Sequence, residues 1–394
     1  MSTTRELFYQ HLAQTSPFPL ALEIEKAEGV YLIDTSGKKY IDLISGISVS
    51  NVGHRHPKVL NAIHEQLNKY MHVMVYGEYV QSPQVKFAKR LTEFLPSTLN
   101  SVYFVNSGAE AIEGAMKLAK RFTGRTEIVS FKNAYHGSTQ GALSIMGDER
   151  LKNPFRPLLP NTKQLHYNSF DEVKEITLNT ACVIIEPIQG EAGIILPENG
   201  FLQALRKQCT EVGALLIYDE IQTGLGRTGK LFAMEHDGVI PDVVCLAKAL
   251  GGGMPIGAFV ADKKTMNVLT NPELGHITTF GGHPICCAAG LAALDVLVNE
   301  KLHEQVAQKE KLFLQLLKHP KIKDVRSKGL LLAVEFDNFE TNKKIIDHCI
   351  ANSVIVDWFL FNMNSMRIAP PLTITEQQIT DACCIIINAI NEMP

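Results

Sequence analysis

A lysine that ends an apolar run and is followed at once by glycines asks for a chemical explanation. In Val244-Cys245-Leu246-Ala247-Lys248-Ala249-Leu250-Gly251-Gly252-Gly253 the amine closes what reads as a buried strand. Burial disfavours the ammonium form and leaves a free amine able to attack a carbonyl carbon. The glycines allow a backbone to come close to a ligand. The plainer alternative is a strand-end lysine with its head in water. Asp219 closes a second apolar run, Leu215-Leu216-Ile217-Tyr218. A carboxylate there needs a cation or hydrogen-bond donors. A protonated ring nitrogen would serve, and so would an arginine or the N–H groups of a helix start. Gln222, three residues on, could bond a substituent of the same ring. Earlier still, Asn106-Ser107-Gly108-Ala109-Glu110-Ala111 lies between the run SVYFV and a helical stretch predicted over about 109–121. Such a turn offers free backbone N–H groups, a hydroxyl and the positive end of a helix dipole, which suits a phosphate. A serine N-cap with a glycine turn explains it as well. Each feature alone is ordinary. Together, in chain order and each at the end of a predicted strand, they read as a phosphate cup, an acceptor for a ring N–H and a Schiff-base amine. Open α/β sheets bind ligands beyond those strand ends.

The elements that must carry these residues are legible as short, β-branched runs: SVYFV (101–105), EIVSF (127–131), CVIIE (182–186), LLIYD (215–219), VVCLA (243–247) and IGAFV (256–260). They read as strands buried on both faces, with helices between them. Pro57 and Pro83 each open a helix, since a first helical turn does not need the N–H that proline lacks. A further helix carries Phe201, Leu202, Leu205, Cys209 and Val212. Strand–helix alternation implies parallel crossovers and a large three-layer α/β/α domain with a mostly parallel sheet. After residue 285 comes a long helix (about 285–299) and then a mixed pattern that includes LLLAVEF (330–336). This part reads as a smaller α+β domain. The division expected is 51–285 for the large domain, with 1–50 and 286–394 together forming the small one. No flexible linker separates them, so the two are interwoven.

Composition narrows the partners. The chain has 394 residues, 45% hydrophobic and 20% charged, and a net charge of −3. That is ample for a large core, and it offers no basic field for nucleic acid and no polybasic run for an anionic membrane. No apolar stretch reaches the roughly 18 residues of a spanning helix. The start, MSTTRELFYQ, lacks the charged and apolar regions of a secretory signal. A cytoplasmic protein is expected. Eight cysteines lie scattered without disulfide or zinc spacing and read as buried, reduced thiols. His54-Arg55-His56 has no third ligand at hand, so no metal is expected. Arg227-Thr228-Gly229-Lys230 reads as a solvated turn, and Trp358 as packing.

Longer motifs add a family resemblance. GHRHP (53–57), NSGAEA (106–111), AYHGST (134–139), EPIQGEAG (186–193), YDEIQTGLGRTG (218–229), LAKALGGG (246–253), TTFGGHP (278–284) and MRIAPPL (366–372) span nearly the whole chain. The sequence resembles the class III aminotransferases, fold-type I enzymes that use pyridoxal 5'-phosphate (PLP) and include ornithine, acetylornithine and 4-aminobutyrate aminotransferases. The resemblance implies that Ser107, Gly108 and Ala109 bind the cofactor phosphate and that Tyr135 stacks on its ring. It places Glu186 near the cofactor, where it helps to position Asp219 and Gln222. Asp219 would hold the ring N–H, Gln222 the phenolic oxygen, and Lys248 would be the Schiff-base lysine. Thr279 resembles the threonine that reaches the phosphate of a neighbouring subunit, which implies a homodimer with shared sites. Arg367 resembles the arginine that grips the substrate α-carboxylate, and Glu191 the glutamate that pairs with it when the amine has no carboxylate there. The reaction implied is a ping-pong transfer from an ornithine- or acetylornithine-like or other ω-amino donor to a 2-oxo acid. One position departs from the pattern. Ser138 stands where the family usually carries an arginine for a second carboxylate. A hydroxyl cannot replace a charged pair, whose hydrogen bonds contribute about 1.5–3 kcal/mol, so pyruvate competes with 2-oxoglutarate as the acceptor. An epimerase, aminomutase or decarboxylase on the same fold would present the same cofactor residues. Intact Lys248, Asp219 and Arg367 argue against a non-catalytic scaffold.

Overall fold

A computed structural model describes residues 2–393. Its centre is a seven-stranded sheet in the order Ser101–Val105, Gly257–Ala261, Val243–Leu246, Leu215–Asp219, Thr180–Ile185, Glu127–Phe131, Thr162–Leu165. Alternation within single strands makes the three layers. In Thr180–Ile185, Cys182 and Ile184 join one apolar cluster while Val183 and Ile185 join the other. The first cluster is covered by Gly108–Thr123, whose Ile112, Ala115, Met116 and Ala119 face the sheet. The opposite face is covered by Ser82–Thr92, Phe201–Val212 and Pro284–Asn299. Pro284–Asn299 is apolar nearly all round because it is buried nearly all round.

The last five strands of that order run parallel, as their helical crossovers require. The strand Gly257–Ala261 is antiparallel to both of its neighbours. The sheet is thus mostly parallel, as expected, and the one reversal has a physical reason. Only a short link with one 3-10 turn, Lys248–Gly251, joins Leu246 to Gly257, less than the dozen or so residues a parallel return needs. The edge strand Thr162–Leu165 has three polar residues of four and gave no apolar run to read.

Two four-stranded sheets flank this core. One pairs Ile24–Glu28, Tyr31–Asp34 and Lys39–Asp42 antiparallel and adds Val354–Ile355 in parallel from the far end of the chain. The other holds Asp324–Ser327, Leu332–Glu335, Ser365–Ile368 and Asp357–Trp358, all antiparallel. Among the described residues no helix is long and apolar enough to cross a membrane.

Two readings need correction. Arg227 is not in a solvated turn: it is fully buried. It donates to the carbonyls of Leu330 (2.9 Å) and Pro370 (2.5 Å), to Asn51 Oδ1 (2.5 Å) and to Ser45 Oγ (3.3 Å). Burial pushes its guanidinium down to about 9, with Asp42 opposing the fall, so it stays cationic at neutral pH. A glycine-rich turn looks alike in sequence whether it meets water or another chain segment. Of the eight cysteines, Cys384 is exposed; the other seven are buried as expected. Trp358 packs edge-on against Phe339, with ring centroids 5.4 Å apart.

Candidate active site

Lys248 lies two residues past the end of Val243–Leu246, after Ala247, and begins the 3-10 turn Lys248–Gly251. Its φ of 48° is unusual for a residue with a side chain. Burial lowers the pKa of its amine, with the charge of Glu191 opposing and that of Arg367 reinforcing the shift. The side chain lines a cavity of about 440 Å3 at the ends of the central strands. Ser107, Gly108, Ala109, Tyr135, Ser138, Glu186, Asp219 and Gln222 line the same cavity. The fold thus gathers residues spread over more than a hundred positions of sequence.

The parts differ in how firmly they are held. Ser107 caps the sixteen-residue helix Gly108–Thr123, its Oγ accepting from the Glu110 N–H at 3.2 Å. Gly108 and Ala109, in the first turn of that helix, line the cavity. Gly108 has a packing reason to be glycine, since a Cβ there would come 2.8 Å from Ile221 Cδ1. Asp219 is buried. Its Oδ1 accepts the Ile221 N–H at 3.0 Å, and its Oδ2 pairs with His136 Nδ1 at 2.7 Å. Burial alone would push His136 down, but the bond to Asp219 and the charges of Asp219 and Glu186 outweigh it and raise the imidazole. Glu186 is pushed up to about 7 by burial, against the pull of His136. Its two oxygens accept the N–H groups of Tyr135 and Gly190, both at 3.2 Å. Gln222 is buried, yet its Nε2 has no partner within the protein. An amide donor left unpaired in a cavity wall is suited to an acceptor on a ligand. Tyr135 Oη lies 3.2 Å from Ser138 Oγ, and Ser138 is exposed.

Arg367 and Glu191 stand apart from the cavity lining and are paired with each other. Arg367 donates to Glu191 through Nη1 (2.8 Å) and Nη2 (2.9 Å). Nη2 also donates to the Trp358 carbonyl at 3.0 Å, Nε lies 3.1 Å from Asp357, and the guanidinium sits 4.7 Å from the Phe359 ring centroid. Both charges are buried, so removing one partner alone would be costly. Thr279 is exposed and lines no part of this cavity. Its neighbour Thr278 accepts from Asn106 Nδ2 at 2.9 Å.

His136 was not singled out from the sequence. It lies inside AYHGST, and no periodicity distinguishes it; only the fold shows that it holds Asp219. His54 pairs with Asp42 at 2.8 Å. Among the described residues no three His, Cys, Asp or Glu side chains gather as a metal would need.

The donor set fits PLP. A helix N-terminus and serine lie at one end for the phosphate, a buried carboxylate lies where a ring N–H would find an acceptor, and an unpaired amide donor and a depressed lysine amine share the same wall. Comparisons with known proteins agree. The family described as aminotransferase class-III matches residues 12–390. An acetylornithine aminotransferase from Methanopyrus kandleri is 40% identical over 383 residues, covering 96% of each chain. Among solved structures, an ornithine aminotransferase from Toxoplasma gondii with partial occupancy of PLP at its active site superposes with a TM-score of 0.90 at 32% identity. That match covers 98% of this chain and 92% of the other. A transaminase from the marine bacterium Virgibacillus gives a TM-score of 0.91 at 28% identity, covering 98% of both chains.

Proposed function

The chain belongs to the class III aminotransferases and is PLP-dependent, and from that premise we propose how its own residues divide the work and what it acts on. Ser107, Gly108 and Ala109 hold the phosphate, Tyr135 lies on the ring face, Asp219 accepts the ring N–H and Gln222 Nε2 donates to the phenolic oxygen. When bound, the cofactor supplies a carbonyl carbon that joins to amines and a cationic ring that draws electrons from the donor carbon. Lys248 Nζ holds the cofactor between turnovers. With PLP bound, the same amine would be the base that accepts the proton of the donor carbon and the acid that gives it back. His136 fixes Asp219, and Glu186 fixes the turn of Tyr135 and the Gly190 backbone. Arg367 binds the carboxylate of the 2-oxo acid after Glu191 turns away from it.

The donor is an ornithine- or acetylornithine-like or other ω-amino compound, as the Methanopyrus and Toxoplasma relatives suggest, and the acceptor is 2-oxoglutarate or pyruvate. Ser138 weighs toward pyruvate, which has one carboxylate for Arg367. The observation that carries the reading is the meeting of Lys248, Asp219 and the unpaired Gln222 amide in one cavity.

Residues 51–285 make the PLP-binding domain, and 1–50 with 286–394 the smaller one. The protein works in the cytoplasm, consistent with its unpaired thiols. It works as a homodimer, with Thr279 reaching the partner's phosphate. The exposed apolar residues Met71, Val80, Ile277 and Phe280 support this surface, with the His72 ring tilted against that of Phe280, centroids 4.8 Å apart.

Lys248→Ala tests the assignment. Turnover falls by at least about a thousandfold while the variant still binds PLP, measured by dialysis and fluorescence. Normal turnover in that variant overturns it.

A further inference from the structure

Beside the cofactor cavity lies a second one of about 310 Å3, and Tyr135 and Ser138 line both. Its walls include Leu143, Met146, Phe155 and Leu360. Leu143 and Met146 are buried, whereas Phe155 and Leu360 are exposed. No lining side chain carries a charge. Gln140, also in the lining, spends its Nε2 on the carbonyls of Phe155 (3.4 Å) and Pro157 (2.9 Å).

The cations of the flanking segment 148–156 and Arg367 are held in ion pairs. Arg150 pairs with Asp148 at 2.6 Å, and Lys152 pairs with Glu149 at 3.0 Å. Arg156 pairs with Glu149 as well. Arg367 is taken by Glu191. A carboxylate carried past Tyr135 would lose its water among uncharged lining side chains, and those cations already hold carboxylates. Methylene groups at the same place would gain from burial, by about fourfold in affinity for each one. Glu191 links the two regions. Its Oε2 accepts the Leu360 N–H at 3.1 Å while its carboxylate holds Arg367. Closing the Arg367–Glu191 pair and fixing the Leu360 wall are thus one arrangement, and freeing Arg367 for a 2-oxo acid loosens that wall.

We propose that this compartment takes the uncharged alkyl or aryl tail of the amino donor, with Ser138 as the residue that opens it. The inference rests on the aminotransferase reading and, among the donors left open there, selects other ω-amines with an uncharged far end over ornithine and acetylornithine, whose far ends carry a carboxylate.

The test uses the PLP-loaded protein and follows bleaching of the cofactor's visible band by propylamine, hexylamine, 6-aminohexanoate and N-acetylornithine. Hexylamine and 6-aminohexanoate have equal length and differ in the terminal charge. The expected result is a second-order rate constant for hexylamine at least about tenfold above those for propylamine and 6-aminohexanoate. Most of the gain lies in the Kd read from saturation. Phe155→Ser and Leu360→Asn, both at exposed positions, each lower the hexylamine-to-propylamine ratio at least fivefold. Ser138→Arg reverses the order of hexylamine and 6-aminohexanoate. An advantage for 6-aminohexanoate in the wild type, or an unchanged ratio in both wall variants, overturns the compartment. Bleaching by N-acetylornithine with indifference to alkyl length overturns the compartment alone. Failure of every amine to bleach the band overturns the compartment and the ω-amino donor reading together.

Discussion

Asp219 and His136 show what a single residue's surroundings decide. A buried carboxylate held by an imidazole and a backbone N–H is oriented before any ligand arrives. Asp219→Asn keeps the shape but loses the charge that stabilises a ring cation. The half-reaction with a good donor should slow by at least about a hundredfold in stopped-flow, and an unchanged rate would remove Asp219 from that role. Glu220, one residue on, does structural work. Its carboxylate accepts the N–H groups of Ala233 and Met234, while burial pushes it up to about 7. A carboxyl raised in the fold binds more protons folded than unfolded between about 4.5 and 7. Its contribution to stability is therefore best in acid and declines as pH rises through that window. The stability of wild type relative to Glu220→Gln should fall by on the order of 2–3 kcal/mol from pH 5 to pH 8 in urea unfolding. A difference that is flat or rises with pH contradicts this. Lys248 and Asp219 were legible from the sequence because a charge at the end of an apolar run is costly without a function. His136 was not, because its meaning lies wholly in a partner 83 positions away.

The strands and helices around the site show why some elements could be read and others could not. Val243–Leu246, Leu215–Asp219 and Glu127–Phe131 are short apolar runs, buried through their central positions, and their place in the sheet follows from that. Gly257–Ala261 is as apolar, but its antiparallel direction depends on the short link before it. That strand also carries a constraint invisible in its sequence. A Cβ at Gly257 would stand 2.2 Å from the Ser107 carbonyl oxygen. Gly257→Ala should push the Ser107 turn aside, cost about 1–3 kcal/mol in unfolding free energy and weaken PLP binding at least tenfold by titration. Wild-type affinity would mean that the turn is free to move. Arg227 ties Ser45, Asn51, Leu330 and Pro370 together, and Pro370 lies three residues beyond Arg367. Arg227→Met would leave buried carbonyls unpaired and should cost about 3 kcal/mol or more. It should also raise the KM for the 2-oxo acid more than it lowers kcat. Arg227→Lys should recover part of the stability.

For the whole molecule, the seven-stranded sheet lies within residues 101–261, while one flanking sheet joins Lys39–Asp42 to Val354–Ile355. The change of texture after residue 285 hinted at this arrangement, but the pairing of the two chain ends is a long-range contact that no local pattern encodes. A homodimer should cover Met71, Val80, Ile277 and Phe280, and light scattering should give about twice the 43.6 kDa chain mass. Thr279→Ala should then weaken PLP retention although Thr279 lies outside its own chain's cavity. A fully active monomer would contradict both. The central claim is that Lys248 anchors the cofactor and passes the amino group's proton in a two-step exchange. The most direct measurement is a single-turnover cycle with equal amounts of PLP-loaded protein and donor, followed by pyruvate or 2-oxoglutarate, with peptide mapping after borohydride reduction before and after each step. The account predicts a label on the Lys248 peptide at the start, its loss with one equivalent of aminated cofactor after the donor, and its return after the 2-oxo acid. A label at another lysine, or a cofactor that never takes up the amino group, would contradict it.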